Sequence, residues 1–181
     1  QVSDVERHGD GSIRNAKVNF YAALPADGEL RYVLSTAAGK DARPSLGVKP
    51  VTVKAAGNGA VTISNSYTAV RLPATRSNLA KPVPLAKAPG PIEAFRLAGG
   101  QWDGGSKFLA EDAPDTTAVR SYQAKVLASG PLFGEAAVRY ELAGGGHYEV
   151  TVRLQAEEPM IFVSEEADTG LISLPVLSVE Y

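Results

Sequence analysis

The chain has 181 residues, 44% of them apolar, with 18 basic against 20 acidic side chains, a formal charge of −2 and no cysteine. A chain of this length buries about 70% of its unfolded surface, which suits one domain or two small ones. Basic residues interspersed with acidic ones exclude a phosphate-neutralising nucleic-acid surface, and the lack of thiols excludes cysteine catalysis, disulfides and zinc sites built on thiolate.

In chain order, apolar–polar alternation bounded by turn residues predicts strands at 17–22, 30–34, 48–54, 60–64 and 67–72. Pro25-Ala26-Asp27-Gly28, Ala56-Gly57-Asn58-Gly59 and Asn65-Ser66 supply turn chemistry between them. Segment 73–92 carries Pro73, Pro82, Pro84, Pro89 and Pro91. Prolines lack the ladder donor, so this stretch reads as a linker or an extended crossover. Beyond it, strands are predicted at 93–98, 119–127, 160–166 and 176–181, with one short helical turn at 106–112.

The strongest signal lies at 147–156, where Tyr148, Val150, Val152, Leu154 and Ala156 alternate with His147, Glu149, Thr151, Arg153 and Gln155. Gly144, Gly145 and Gly146 precede it, and Ala136, Val138, Tyr140 and Leu142 alternate on the far side, so the two segments form a long hairpin. Leu132, Phe133, Ala136, Ala137 and Tyr140 also fit a helical spacing, but Gly130, Pro131 and Gly134 and the strand partner exclude that reading. About eleven short strands without βαβ units predict an all-β fold, an antiparallel β-sandwich or barrel. The expected arrangement is a small barrel-like domain over 1–72, the Pro-rich linker or crossover over 73–92, and an antiparallel sandwich over 93–181.

No complete catalytic constellation is visible. The two histidines, His8 and His147, lack the i+3 or i+4 partner of zinc-binding helices. Gly11-Ser12 and Gly105-Ser106 lack the strand-to-helix setting of a nucleophile elbow, and no glycine-rich loop carries the lysine of a phosphate site. Acidic groups at Glu111, Asp112 and Asp115, at Glu157 and Glu158, and at Glu165, Glu166 and Asp168 read either as solvated charge or as oxygen ligands. No cofactor is therefore expected, with Ca2+ the one metal left open. Adjacent Glu165 and Glu166 point to opposite faces of a strand and cannot by themselves be a glycosidase pair.

The sole tryptophan stands in Gly99-Gly100-Gln101-Trp102-Asp103-Gly104-Gly105-Ser106. An aromatic face in such a loop either stacks on a pyranose ring, with neighbouring polar groups bonding the hydroxyls, or plugs the end of a sandwich core. On the first reading Gln101, Trp102 and Asp103 contact a glycan, and Lys107, Arg120 and Arg153 pair with acidic sugars. His147, on the polar face of its strand, is either an ordinary turn-adjacent histidine or a further sugar contact or proton donor.

The opening His8-Gly9-Asp10-Gly11-Ser12-Ile13-Arg14, followed by Lys17-Val18-Asn19-Phe20 and Leu24-Pro25-Ala26-Asp27-Gly28, resembles the start of exo-rhamnogalacturonan-lyase-like proteins. Ser129-Gly130-Pro131, the strand from His147 and Glu165-Glu166-x-Asp168 look like the β-sandwich region that follows in that family. An aromatic residue often follows the arginine there, whereas Asn15 stands here. The resemblance implies a polysaccharide partner outside the cell, secreted or periplasmic, and no catalytic residue transfers by motif. Family members are longer, with a helical toroid after the β regions, so further domains of a larger chain are expected as partners. The first residue, Gln1, fits a chain from which a leader or upstream region has been removed.

Three functions remain in view. The first is a noncatalytic carbohydrate-binding accessory module. The second is a polysaccharide lyase, in which Arg120, Arg139 or Arg153 neutralises a uronate and His147 or a tyrosine such as Tyr122 abstracts a proton. The third is a structural domain of a larger enzyme. Neither nucleic acid nor a membrane is an expected partner: the longest apolar runs, such as 160–163, fall far short of the roughly 20 residues that cross a bilayer.

Overall fold

The computed structural model describes residues 1–22, 26–29, 31, 47–76, 78–109, 117–168 and 176–180. These build an all-β, antiparallel sandwich: strands β1 (Val2–Arg7), β2 (Ile13–Val18), β3 (Thr52–Ala55), β4 (Val61–Ser64), β5 (Thr68–Leu72), β6 (Ala94–Leu97), β7 (Gly105–Leu109), β8 (Val119–Ser129), β9 (Phe133–Leu142), β10 (His147–Gln155), β11 (Ile161–Asp168) and β12 (Val176–Glu180). Two four-stranded sheets form the layers, a front sheet in the order β3-β4-β5-β6 and a back sheet in the order β11-β10-β9-β8. β7 and β12 pair as a separate ribbon, as do β1 and β2. Among the described residues no helix is long and apolar enough to cross a membrane.

The layers pack because alternation sends one row of each strand inward. Val61, Ile63, Val70, Leu72 and Phe95 from the front sheet meet Ala136, Val138, Tyr140, Val150, Val152 and Leu154 from the back sheet in one buried cluster. Gly134 brings the layers close: a Cβ there would sit 2.5 Å from a methyl of Val53 and 2.9 Å from one of Ile63. At the other end Phe108 of β7 meets Tyr140 and Tyr148 edge-on, with ring centroids 5.1 and 5.6 Å away. Such contacts add to the burial of three large rings.

The hairpin anticipated from alternation is β9–β10, in unbroken register from His147 opposite Glu141 to Gln155 opposite Phe133. Its turn needs glycine at 146, where φ is +77° and a Cβ would fall 2.4 Å from the Asp168 carbonyl. The expected helical turn at 106–112 is corrected: Gly105–Leu109 is a strand paired with β12, Leu109 opposite Val176. Ser106-Lys107-Phe108-Leu109 has too few residues for its period to be read, and only Phe108 is buried. β1 was not anticipated, because Asp4, at φ +49°, interrupts its alternation with a register shift. Of the expected strand at 30–34 all but Arg31 lies outside the described residues.

The proline-rich segment runs extended along the outer edge of β8. Arg76 exchanges backbone hydrogen bonds with Tyr122 and Val83 with Val119, and the Leu79 N–H donates to the Arg120 carbonyl. The non-proline residues thus supply the donors that the prolines cannot. A 3-10 turn, Leu85–Lys87, buries Leu85, and the Pro89 carbonyl accepts the hydroxyl of Tyr140 at 2.9 Å. At the start of the chain the Gln1 side chain clamps the β8–β9 turn: its oxygen accepts from the N–H groups of Leu132 and Phe133, and its amide donates to the Phe133 carbonyl.

Candidate functional site

Strand register decides which charged side chains share a surface. In the front sheet, Lys54 stands opposite Thr62, Thr62 opposite Arg71, and Arg71 opposite Ala94. The neighbouring row runs Thr52, Ser64, Ala69, Arg96. Both rows lie on the side opposite the core positions Val61, Ile63, Val70 and Phe95, although Ala69 in the second row is itself covered. The outer face of this sheet therefore carries three cations, three hydroxyls and two alanines, and no carboxylate.

The loop after β6 adds the aromatic. The Gly100 N–H donates to the Leu97 carbonyl, and Asp103 then exchanges backbone hydrogen bonds with Phe95, so the chain returns beside β6. That return places Trp102 next to Arg96. The Arg71 guanidinium carbon lies 4.3 Å from the centre of the Trp102 ring and that of Arg96 lies 5.1 Å away. Both are cation–π distances. The cross-strand partners of the two arginines, Ala94 and Ala69, are small enough to let the long side chains turn over the indole. Among the described residues neither arginine, nor Lys54, has a carboxylate within ion-pair reach.

The residues singled out from the sequence do not converge. Gln101, Trp102 and Asp103 share the loop, with Gln101 exposed and an Asp103 side-chain oxygen accepting from the Gly104 N–H at 2.7 Å. Lys107 is exposed on β7 opposite Ser178, and Arg120 is exposed on the β8 edge beside the crossover. His147 and Arg153 stand on the outer face of the back sheet, six residues and roughly 20 Å apart along β10. The partners that Trp102 does have, Arg71 and Arg96, were missed, because each looks like an ordinary polar position of an alternating strand.

The back sheet's outer face is mixed in charge. Arg139 donates to Glu141 at 2.8 Å and lies 4.0 Å from Glu149. Arg153 lies 3.7 Å from Glu135 and covers the Phe133 ring at 3.8 Å, and His147 lies 3.7 Å from Asp168. Arg139, Arg153 and His147 there each face an acid, whereas Lys125, exposed opposite Ala137, has no ion pair among the described residues. A pocket of about 130 Å³ on this side is lined by Ser121, Tyr122, Gln123, Arg139 and Glu141. The hydroxyls of Tyr140 and Tyr148 are committed as donors, to Pro89 and to Glu165 respectively. Burial, reinforced at Tyr148 by the Glu165 carboxylate, pushes both phenols far above their ordinary pKa, which disfavours a phenolate base.

Of the acidic groups considered as ligands, Glu157 accepts from the Lys49 N–H and the Tyr67 hydroxyl, and Glu165 accepts from Tyr148. Among the described residues no group of three His, Asp or Glu side chains is placed to hold a metal ion. Glu111, Asp112 and Asp115 lie outside the described residues. No protein-family model, curated protein or solved structure matches the chain.

Proposed function

We propose that the chain is a noncatalytic carbohydrate-binding module of a secreted polysaccharide-degrading system, and that it recognises acidic polysaccharide. The observation that carries this reading is the cluster of Arg71, Arg96 and Trp102 on a sheet face without carboxylates. Guanidinium groups are weakly hydrated and pair with carboxylates through two parallel hydrogen bonds. Two of them held over one indole lose less side-chain freedom on binding, which favours affinity. The serine and threonine hydroxyls of the neighbouring rows suit the hydroxyls of a sugar chain.

Titration of polygalacturonate and of neutral dextran, read through the fluorescence of Trp102, tests the reading. Trp102 is the only tryptophan in the chain. The expected result is a saturable change with polygalacturonate and none with dextran, weakened by salt. Arg71→Ala should weaken binding about tenfold. Absence of binding, or binding indifferent to Arg71→Ala, contradicts the reading.

A further inference from the structure

The same face has a second dimension. Lys54 and Arg71 occupy one row across β3, β4 and β5, separated by Thr62. Two strand spacings put their backbones roughly 10 Å apart. Arg96 lies one strand further and one row along, so the backbone positions of the three cations cross three strand spacings, about 14 Å, while the Arg71 and Arg96 guanidinium groups meet at the Trp102 ring. That span is wider than a single sugar ring, and Thr62 and Ser64 fill the interval between the cations. A ligand that satisfies all three cations must itself carry anionic groups at intervals along an extended chain.

Resting on the reading above, we infer that the ligand is a segment of linear polyuronate several residues long, laid across the strands of the front sheet from Lys54 over Thr62 to Arg71 and Arg96. Trp102 acts on this ligand as a positioning residue: with two guanidinium groups over its ring, it fixes their direction and does not serve as the stacking platform for a sugar. Charge complementarity selects the occupant, since the face offers cations and hydroxyls with no acid to repel a carboxylate. Nucleic acid is the poorer fit. Three cations neutralise few phosphates, and the Trp102 ring is already covered by arginine.

The test is a length series: galacturonate, digalacturonate and hexagalacturonate, with single-stranded oligothymidine of matched charge as the contrast. The hexamer should bind at least about tenfold more tightly than the dimer. Lys54→Ala should reduce the hexamer's advantage while leaving dimer affinity within about twofold, and Arg71→Lys should weaken every uronate because a lysine lacks the planar fork. Affinity that does not grow beyond the dimer, or that ignores Lys54→Ala, overturns the polymer inference and leaves acidic-glycan binding standing. Failure of every uronate to bind overturns both, and oligothymidine binding as tightly as the hexamer overturns the ligand class. Lys54 is exposed and Arg71 half-buried, both outside the core, so circular dichroism of each variant should match the parent.

Discussion

Two buried tyrosines set an alkaline limit on the fold. Tyr140 is fully buried with its hydroxyl on the Pro89 carbonyl, and burial holds its pKa far above the ordinary value near 10. Above about pH 10 the unfolded chain loses that proton while the native chain keeps it. The native state then binds more protons, so stability falls as pH rises, by about 1.4 kcal/mol per pH unit for each such tyrosine. Denaturant unfolding at pH 8 and pH 11 checks this. Tyr140→Phe should cost about 1 kcal/mol at pH 8 through the lost hydrogen bond, and should flatten the alkaline slope. An unchanged slope would show that Tyr140 ionises in the native state. Trp102 illustrates a different residue-scale lesson: the sequence offered a bare aromatic in a glycine-rich loop, whereas the ring is already engaged by Arg71 and Arg96.

At the scale of elements, the β9–β10 hairpin depends on a backbone conformation that only glycine adopts without strain at position 146. Gly146→Ala combines φ +77° with a close approach to the Asp168 carbonyl, and should destabilise by about 1–3 kcal/mol in thermal or denaturant unfolding. The same substitution at Gly57, where a Cβ would meet nothing within 4 Å and φ is not positive, should be close to neutral. The central hairpin of the back sheet was legible because the alternation of 147–156 is unbroken, and because Gly130, Pro131 and Gly134 decide against the helical spacing that 132–140 also offers. β7 was not, because its short run leaves the period undetermined and its burial comes from contact with Tyr140 and Tyr148, which lie far along the chain. β1 was illegible for a local reason, the irregularity at Asp4. The site was partly legible: Trp102 could be picked out by its loop, but Arg71 and Arg96 become its partners only once β5, β6 and the returning loop are set in register. A sequence-level signal did exist, in that the polar positions of strands 52–55, 61–64, 68–72 and 94–97 include no acid, yet it has meaning only when those strands share one face.

For the whole molecule, the small net charge conceals a separation of charge between the two layers. The front-sheet strands show Lys54, Arg71 and Arg96 without acids, while the back sheet carries Lys125 and interleaves Arg139 and Arg153 with Glu135, Glu141 and Glu149. Paired charges on the back sheet gain little by meeting an anion, because each would first lose its neighbour. Lys54, Arg71 and Arg96 of the front sheet have no such competitor among the described residues. Association with an acidic polymer should accordingly weaken as ionic strength rises and the Debye length shortens from about 10 Å at 0.1 M salt to about 3 Å at 1 M. Phe108→Ala, which opens the contact between the β7–β12 ribbon and the tyrosines, should cost about 3–5 kcal/mol in stability and leave glycan affinity of the folded fraction unchanged, since Phe108 lies in the core.

The most direct test of the central claim is to map backbone and side-chain NMR shift changes during titration with hexagalacturonate. The account predicts that they concentrate at Lys54, Thr62, Ser64, Arg71, Arg96 and the Trp102 indole N–H, with little change along β9 and β10. Changes centred instead on Arg139, His147 and Arg153, or none at saturating ligand, would contradict it.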